Sequence, residues 1–164
     1  MAYRVLMSIV LAVSGLVSVG CGGGPRMGRY NVEVMLGEGV GTGGNVEVDV
    51  VACNQAEVGR WLGQDMNTYP SSAMRRDAAK KTFYLSSAKA SDELVVSDDL
   101  WNQWKGAETL FVLTDLPVPD ASGASDPRRL VLPLDQARWS GNRIKVRVDR
   151  SGLRLLTEMV PEKK

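Results

Sequence analysis

The chain has no histidine among its 164 residues, and only two cysteines and two phenylalanines. Histidine is the commonest general base near neutral pH, so its absence excludes Ser-His-Asp and Cys-His catalytic arrangements and histidine-containing zinc sites. Cysteine is almost as scarce. Cys21 closes an N-terminal apolar run, and if it is modified there, Cys53 has no partner for an internal disulfide and no thiolate metal site can form. Cys53 itself reads as a small, half-buried strand residue. Carboxylate chemistry of the glycosidase kind and a Ser-Lys pair stay open, but neither leaves a local signature. An excess of charge of one sign is also missing. There are 20 bases and 19 acids, and leaving out Arg4, the one charged residue of the first twenty, makes the remainder 19 against 19. That balance does not point to nucleic acid. No cofactor, metal or catalytic residue is expected.

What is present begins at the N-terminus. One positive charge, Arg4, precedes an apolar run over residues 5–20, interrupted only by Ser8, Ser14, Gly15, Ser18 and Gly20. This is the pattern of a secretory signal peptide. A membrane span needs ~20 apolar residues, and here Gly22, Gly23, Gly24 and Pro25 follow directly. Val17, Ser18, Val19, Gly20 and Cys21 together resemble the lipobox of bacterial lipoproteins. Ser18 departs from the pattern, where a Leu is preferred. The resemblance implies cleavage before Cys21, acylation of that cysteine, and a cell-envelope protein held on a membrane by lipid. With Gly rather than Asp at position 22, the family's sorting rule favours the periplasmic face of the outer membrane. Each buried CH₂ adds ~0.8 kcal/mol of membrane affinity, so several acyl chains attach a protein durably. The expected organisation is a signal peptide over residues 1–20, a lipidated flexible tether over 21–29, one domain over 30–160 and a polar tail over 161–164.

The domain reads as strands first. Val32, Val34 and Leu36 alternate with polar neighbours, and Val46, Val48, Val50 and Ala52 alternate with Glu47 and Asp49, which is the period of half-buried strands. Residues 37–44 between them read as a glycine-rich hairpin loop. Gly39, Val40, Gly41 and Thr42 there imitate a phosphate-binding glycine loop, but that reading needs a helix to follow, and a strand follows instead. Further strands are expected at residues 82–87, 93–96, 107–116, 130–134, 143–149 and 153–157. The consecutive Leu110, Phe111, Val112 and Leu113 mark a central strand buried on both faces.

Helices are expected in between. Asn54 and Glu57 form a capping box for a helix whose apolar face is Ala56, Val58, Trp61 and Leu62. Pro70 ends that segment. A second, weaker helix follows over residues 71–79, with Arg75, Arg76, Lys80 and Lys81 as a solvated basic end. Ser97 reads as the cap of a short helix through Trp104, with Asp98 and Asp99 as first-turn charges and Trp101 and Trp104 covering the core.

Arg143, Lys145 and Arg147 alternate with apolar residues and line one outer face, while Glu33, Glu47 and Asp49 line another with opposite sign. The expectation is that the first and last hairpins neighbour one another in one sheet. The long loop over residues 117–127, with Asp120 and Ser122, lacks the ligand ladder of an EF-hand and reads as solvated. The fold class is therefore mainly β: a two-sheet β-sandwich of Ig-like kind with two short helices inserted. This order, with Cys21, the strand at 46–51, the apolar strand at 109–115, Ala137-Arg138-Trp139 and the closing hairpin at 144–155, is similar to the outer-membrane lipoprotein of type VI secretion. That resemblance implies a transthyretin-like sandwich and a scaffold that clasps a periplasmic protein partner. The asparagine- and proline-rich stretch of that family's first strand is missing. The expected function is a non-enzymatic interaction module, and the alternative is a ligand-binding or carboxylate-dependent enzyme acting on wall polymers. The expected partner-binding residues are Gly39, Val40, Gly41, Thr42, Asp120 and Ser122 in the two loops, and Arg143, Lys145 and Arg147 on the basic face.

Overall fold

The computed structural model describes residues 26–118 and 125–162. In chain order the strands are β1 (Asn31–Leu36), β2 (Val46–Cys53), β3 (Lys81–Leu85), β4 (Ser91–Leu94), β5 (Thr109–Thr114), β6 (Arg129–Pro133), β7 (Arg143–Asp149) and β8 (Gly152–Leu155). Helices α1 (Gln55–Leu62) and α2 (Ala73–Asp77) lie between β2 and β3, and α3 (Leu100–Gln103) lies between β4 and β5. The strands form two four-stranded sheets, ordered β4-β1-β7-β8 and β3-β2-β5-β6. Every pairing is antiparallel except β1 with β7, which runs parallel.

Alternation along the strands builds the layer between the sheets. Val32 and Val34 of β1 and Ile144, Val146 and Val148 of β7 face Val46, Val48 and Val50 of β2 and Leu110 and Val112 of β5, all buried. Fully burying one such side chain contributes ~1.5–3 kcal/mol. The expected sandwich is thus present, with β5 in the interior of its sheet and buried along nearly its whole length.

The β1–β2 connection departs from expectation. Residues 37–45 do not close a hairpin; they carry the chain from one sheet to the other. Alternation fixes which face of a strand is buried, but it does not choose the neighbour. The valines of β1 and β2 meet across the core, where both inner faces are covered at once. In consequence the first pair of strands and the last hairpin do not share a sheet as a unit. Only β1 joins β7 and β8.

The helical insertion is also less loose than its composition promises. The capping box on α1 forms, with Asn54 accepting from Ala56 N and Glu57 reaching back to Asn54 N. Trp61 of α1, with Met66, Tyr69 and Met74 further on, packs against Val51, Cys53, Phe111 and Leu113 on the outer face of β2 and β5. Ala56, expected on that apolar face, is exposed. Ser97 does not cap α3. Asp99 holds the cap position without a side-chain bond, and the Asp98 carboxylate just before it accepts from Leu100 N at 3.0 Å and pairs with Lys81 at 3.2 Å. Trp101 and Trp104 lie edge to face at 5.2 Å and close one end of the core.

Candidate interaction surface

Strand direction and register sort the loops between two ends of the sandwich. The β1–β2 loop, the β3–β4 turn, the β5–β6 loop and the β7–β8 turn all lie at one end. The incoming chain lies at the other. There Met27 bridges Asp135, Gly28 N donates to Leu134 O at 2.8 Å, and Gln136 N donates to Arg26 O at 2.8 Å. The N-terminal segment and the long loops are therefore separated by the length of the strands, ~20 Å for six residues.

At the loop end the segments hold one another. Gly37 N donates to Val148 O at 2.8 Å, and Leu153 N donates to Pro127 O at 2.7 Å. Gly39 and Gly41 take φ of +71° and +75°, a conformation side chains oppose, and so shape the β1–β2 loop. Val40 turns inward and is buried with the core, so it anchors the loop rather than presenting itself. Thr42 stands exposed at the tip. Of the second loop, Asp120 and Ser122 lie outside the described residues, as does Cys21. Its returning foot is firmly built. Arg128 donates to Asp126 at 2.7 and 3.0 Å and to Asn67 at 3.0 Å, while Arg129 reaches the carbonyls of Leu62 and Gln64 in the insertion. Burial resists ionisation of Asp126, but the hydrogen bonds from Arg128 outweigh it and hold the carboxyl below its ordinary range.

The basic row is in place on the open face of the β4-β1-β7-β8 sheet, but each member is paired. Arg143 meets Glu33 at 3.2 Å and Glu93 at 3.4 Å, Lys145 meets Glu33 at 3.5 Å, and Arg147 meets Asp149 at 2.9 Å. Opposite charges do meet on this sheet as expected for Glu33, but Glu47 and Asp49 belong to the other sheet and find Arg75. Arg75 is thus no solvated base. Its Nε lies 2.7 Å from the buried Asp49 carboxylate, which also accepts from Tyr69 Oη at 2.9 Å and Thr82 Oγ1 at 2.5 Å. Burial and the Asp49 carboxylate together push the Tyr69 hydroxyl well above its ordinary range. Cys53 is buried at the end of β2, and burial raises its thiol to about 11, with Glu57 adding to the shift. Among the described residues no group of three or more His, Cys, Asp or Glu is placed to hold a metal ion, and no helix is long and apolar enough to cross a membrane.

Fold and loop placement together define a two-sheet β-sandwich with a helical insertion, its N-terminal segment at one end and its long loops at the other. Two solved structures share that fold. One, described as a type VI membrane complex, aligns at 18% identity and TM-score 0.55, covering 80% of this chain and 99% of the other. The second is Serratia marcescens Lip, a membrane-bound component of the Type VI Secretion System, at 15% identity and TM-score 0.50, covering 79% of this chain and 97% of Lip. No family model matches the chain, and no curated protein sequence matches it.

Proposed function

We propose that the protein is a lipid-anchored, non-enzymatic interaction module on the periplasmic face of the outer membrane. Cys21 carries the anchor, and the loops at residues 37–44 and 117–127 engage a periplasmic protein partner in a type VI secretion assembly. The observation that carries this reading is the opposition of tether and loops across the sandwich. A domain held at one end presents the other to a partner approaching from the opposite membrane, and binding residues concentrate on loops fixed to a rigid scaffold. The lipobox-like residues around Cys21 and the fold shared with two type VI components support it.

Two measurements test the reading. Cys21→Ser leaves a precursor that takes up no palmitate label and no longer partitions into detergent; a labelled, detergent-phase variant would contradict the anchor. For the partner, the β1–β2 loop cannot be cut to a tight turn, because it spans two sheets ~10 Å apart. Thr42 and Gly43 are instead both changed to Arg, since Thr42 is exposed and a side chain at Gly43 meets open space. In a second variant residues 119–124 are deleted. At least one of these proteins keeps its melting temperature within a few degrees and loses the partner captured by the wild type. If both fold and capture the same partners, the loops are not the interface, and the Arg143, Lys145 and Arg147 face is the next surface to change.

A further inference from the structure

The outer face of the β3-β2-β5-β6 sheet is roofed by the insertion only in part. At the tether end, Thr109, Val131 and Pro133 of β5 and β6 are left as the floor of a groove of about 870 Å³. Met27, Ala137, Val160 and Pro161 line it as well. Val131 is one of four large apolar side chains exposed among the described residues, at 38%. A concave apolar space of this size lies in the ~300–1,000 Å³ range of ligand sites. It is no part of the loop-end surface.

Three observations say what fits it. Met27, which bridges Asp135, is itself part of the groove. Arg26 O is bonded to Gln136 N, so the described chain begins beside the Ala137 wall. Cys21 lies five residues before Arg26, a reach of roughly 17 Å at ~3.3–3.6 Å per residue. The third is charge. Glu108, Asp135 and Glu162 stand around the groove. The one base, Arg138, is turned toward Glu162 at 3.9 Å and toward Val160 O at 3.1 Å. Carboxylates there repel a phospholipid phosphate or a fatty-acid anion, but they do not oppose an acyl chain joined to the protein through neutral ester or amide bonds.

We propose that this groove holds an acyl chain of the lipidated Cys21, folding the lipid back onto its own domain when no bilayer receives it. The proposal rests on lipidation of Cys21 as given above. A phospholipid, or the side chains of a protein partner, would be different occupants.

The test uses the full lipidated chain in detergent, with p-benzoylphenylalanine placed at position 131. Irradiation joins the peptide containing that position to the lipidated peptide 21–26 within a single molecule, read by mass spectrometry on the monomer band. A cross-link only to detergent, phospholipid or another protein overturns the proposal. The intact mass separates the two readings: a chain without acyl groups refutes the anchor, whereas an acylated chain with no such cross-link refutes the groove alone. In a second arm, full-length Cys21→Ser protein binds a fluorescent neutral monoacylglycerol at least tenfold more tightly than the corresponding fatty-acid anion, and adding Val131→Glu removes that binding. Equal affinity for the two probes, or binding that survives Val131→Glu, also overturns it.

Discussion

The two sheets present opposite outer faces. On β4-β1-β7-β8 no helix covers the outer face, and its charged rows form partly exposed ion pairs: Arg143 and Lys145 with Glu33, Arg147 and Arg154 with Asp149. On β3-β2-β5-β6 the insertion covers much of that face, and a carboxylate with the same place in an alternating strand, Asp49, is only 2% exposed. The strands carry similar patterns; what differs is whether the chain returns over them. Coverage changes the energetics of one residue type from screened and weak to desolvated and strong. Exposed ion pairs contribute ~0–1 kcal/mol, whereas breaking a buried pair costs ~3–5 kcal/mol, because the remaining partner is left uncompensated.

The largest expected effect follows directly. Asp49→Ala removes the acceptor shared by Arg75, Tyr69 and Thr82, leaving Arg75 with Glu47, and lowers unfolding free energy by roughly 3–5 kcal/mol in urea titration. Glu33→Ala removes two partly exposed pairs and lowers it by no more than about 1 kcal/mol. Equal losses from the two variants would show that the insertion does not shield Asp49.

A smaller effect concerns acid. Arg128 holds the Asp126 carboxyl below its ordinary value of 3.8, against the opposing pull of burial. For a group whose folded pKa is depressed, the stability it contributes is fully present above the unfolded value and is lost as pH falls through the folded one. Asp92, lowered by its bonds from Lys89 despite burial, and Asp98, lowered first by Leu100 N, act with the same sign. Unfolding free energy therefore declines below about pH 4. In Arg128→Met that decline becomes shallower, since Asp126 loses the guanidinium bonds and is held down only by the residue 128 N–H and Arg129. A variant with an unchanged acid slope would remove Asp126 from the account.

How far the sequence carries can be judged residue by residue. Strand positions, the buried face of each strand, the capping box at Asn54 and the interior place of β5 are all legible, because each is set by residues a few positions apart. Strand partners are not. Val32 and Val34 look the same whether their neighbour is β2 or β7, and the parallel pairing of β1 with β7 depends on strands more than a hundred residues apart. Arg75 reads as solvated for the same reason: Asp49 reaches it only after folding. At the loop end of the sandwich, the loop residues are legible as loops. Their gathering at one end, and the turning in of Val40, follow from topology. The apolar groove has no signal along the chain, since Met27, Val131 and Val160 come from three separate segments.

The smallest effect separates two neighbouring acids at the start of α3. Helix-dipole reasoning treats Asp98 and Asp99 alike, as first-turn charges near α3. The structure divides them. Asp98 accepts from Leu100 N and pairs with Lys81, while Asp99 occupies the cap position with no side-chain bond. Asp98→Ala therefore costs about 1 kcal/mol, the usual loss of a capping oxygen. Asp98→Asn costs only a few tenths, because an amide oxygen caps nearly as well as a carboxylate and the Lys81 pair is partly exposed. Asp99→Ala leaves stability within about 0.5 kcal/mol, the range of an exposed substitution. Thermal melts of the three single variants resolve these values. Equal losses from Asp98→Ala and Asp99→Ala would mean that charge near α3, and not the bond to Leu100 N, stabilises this turn.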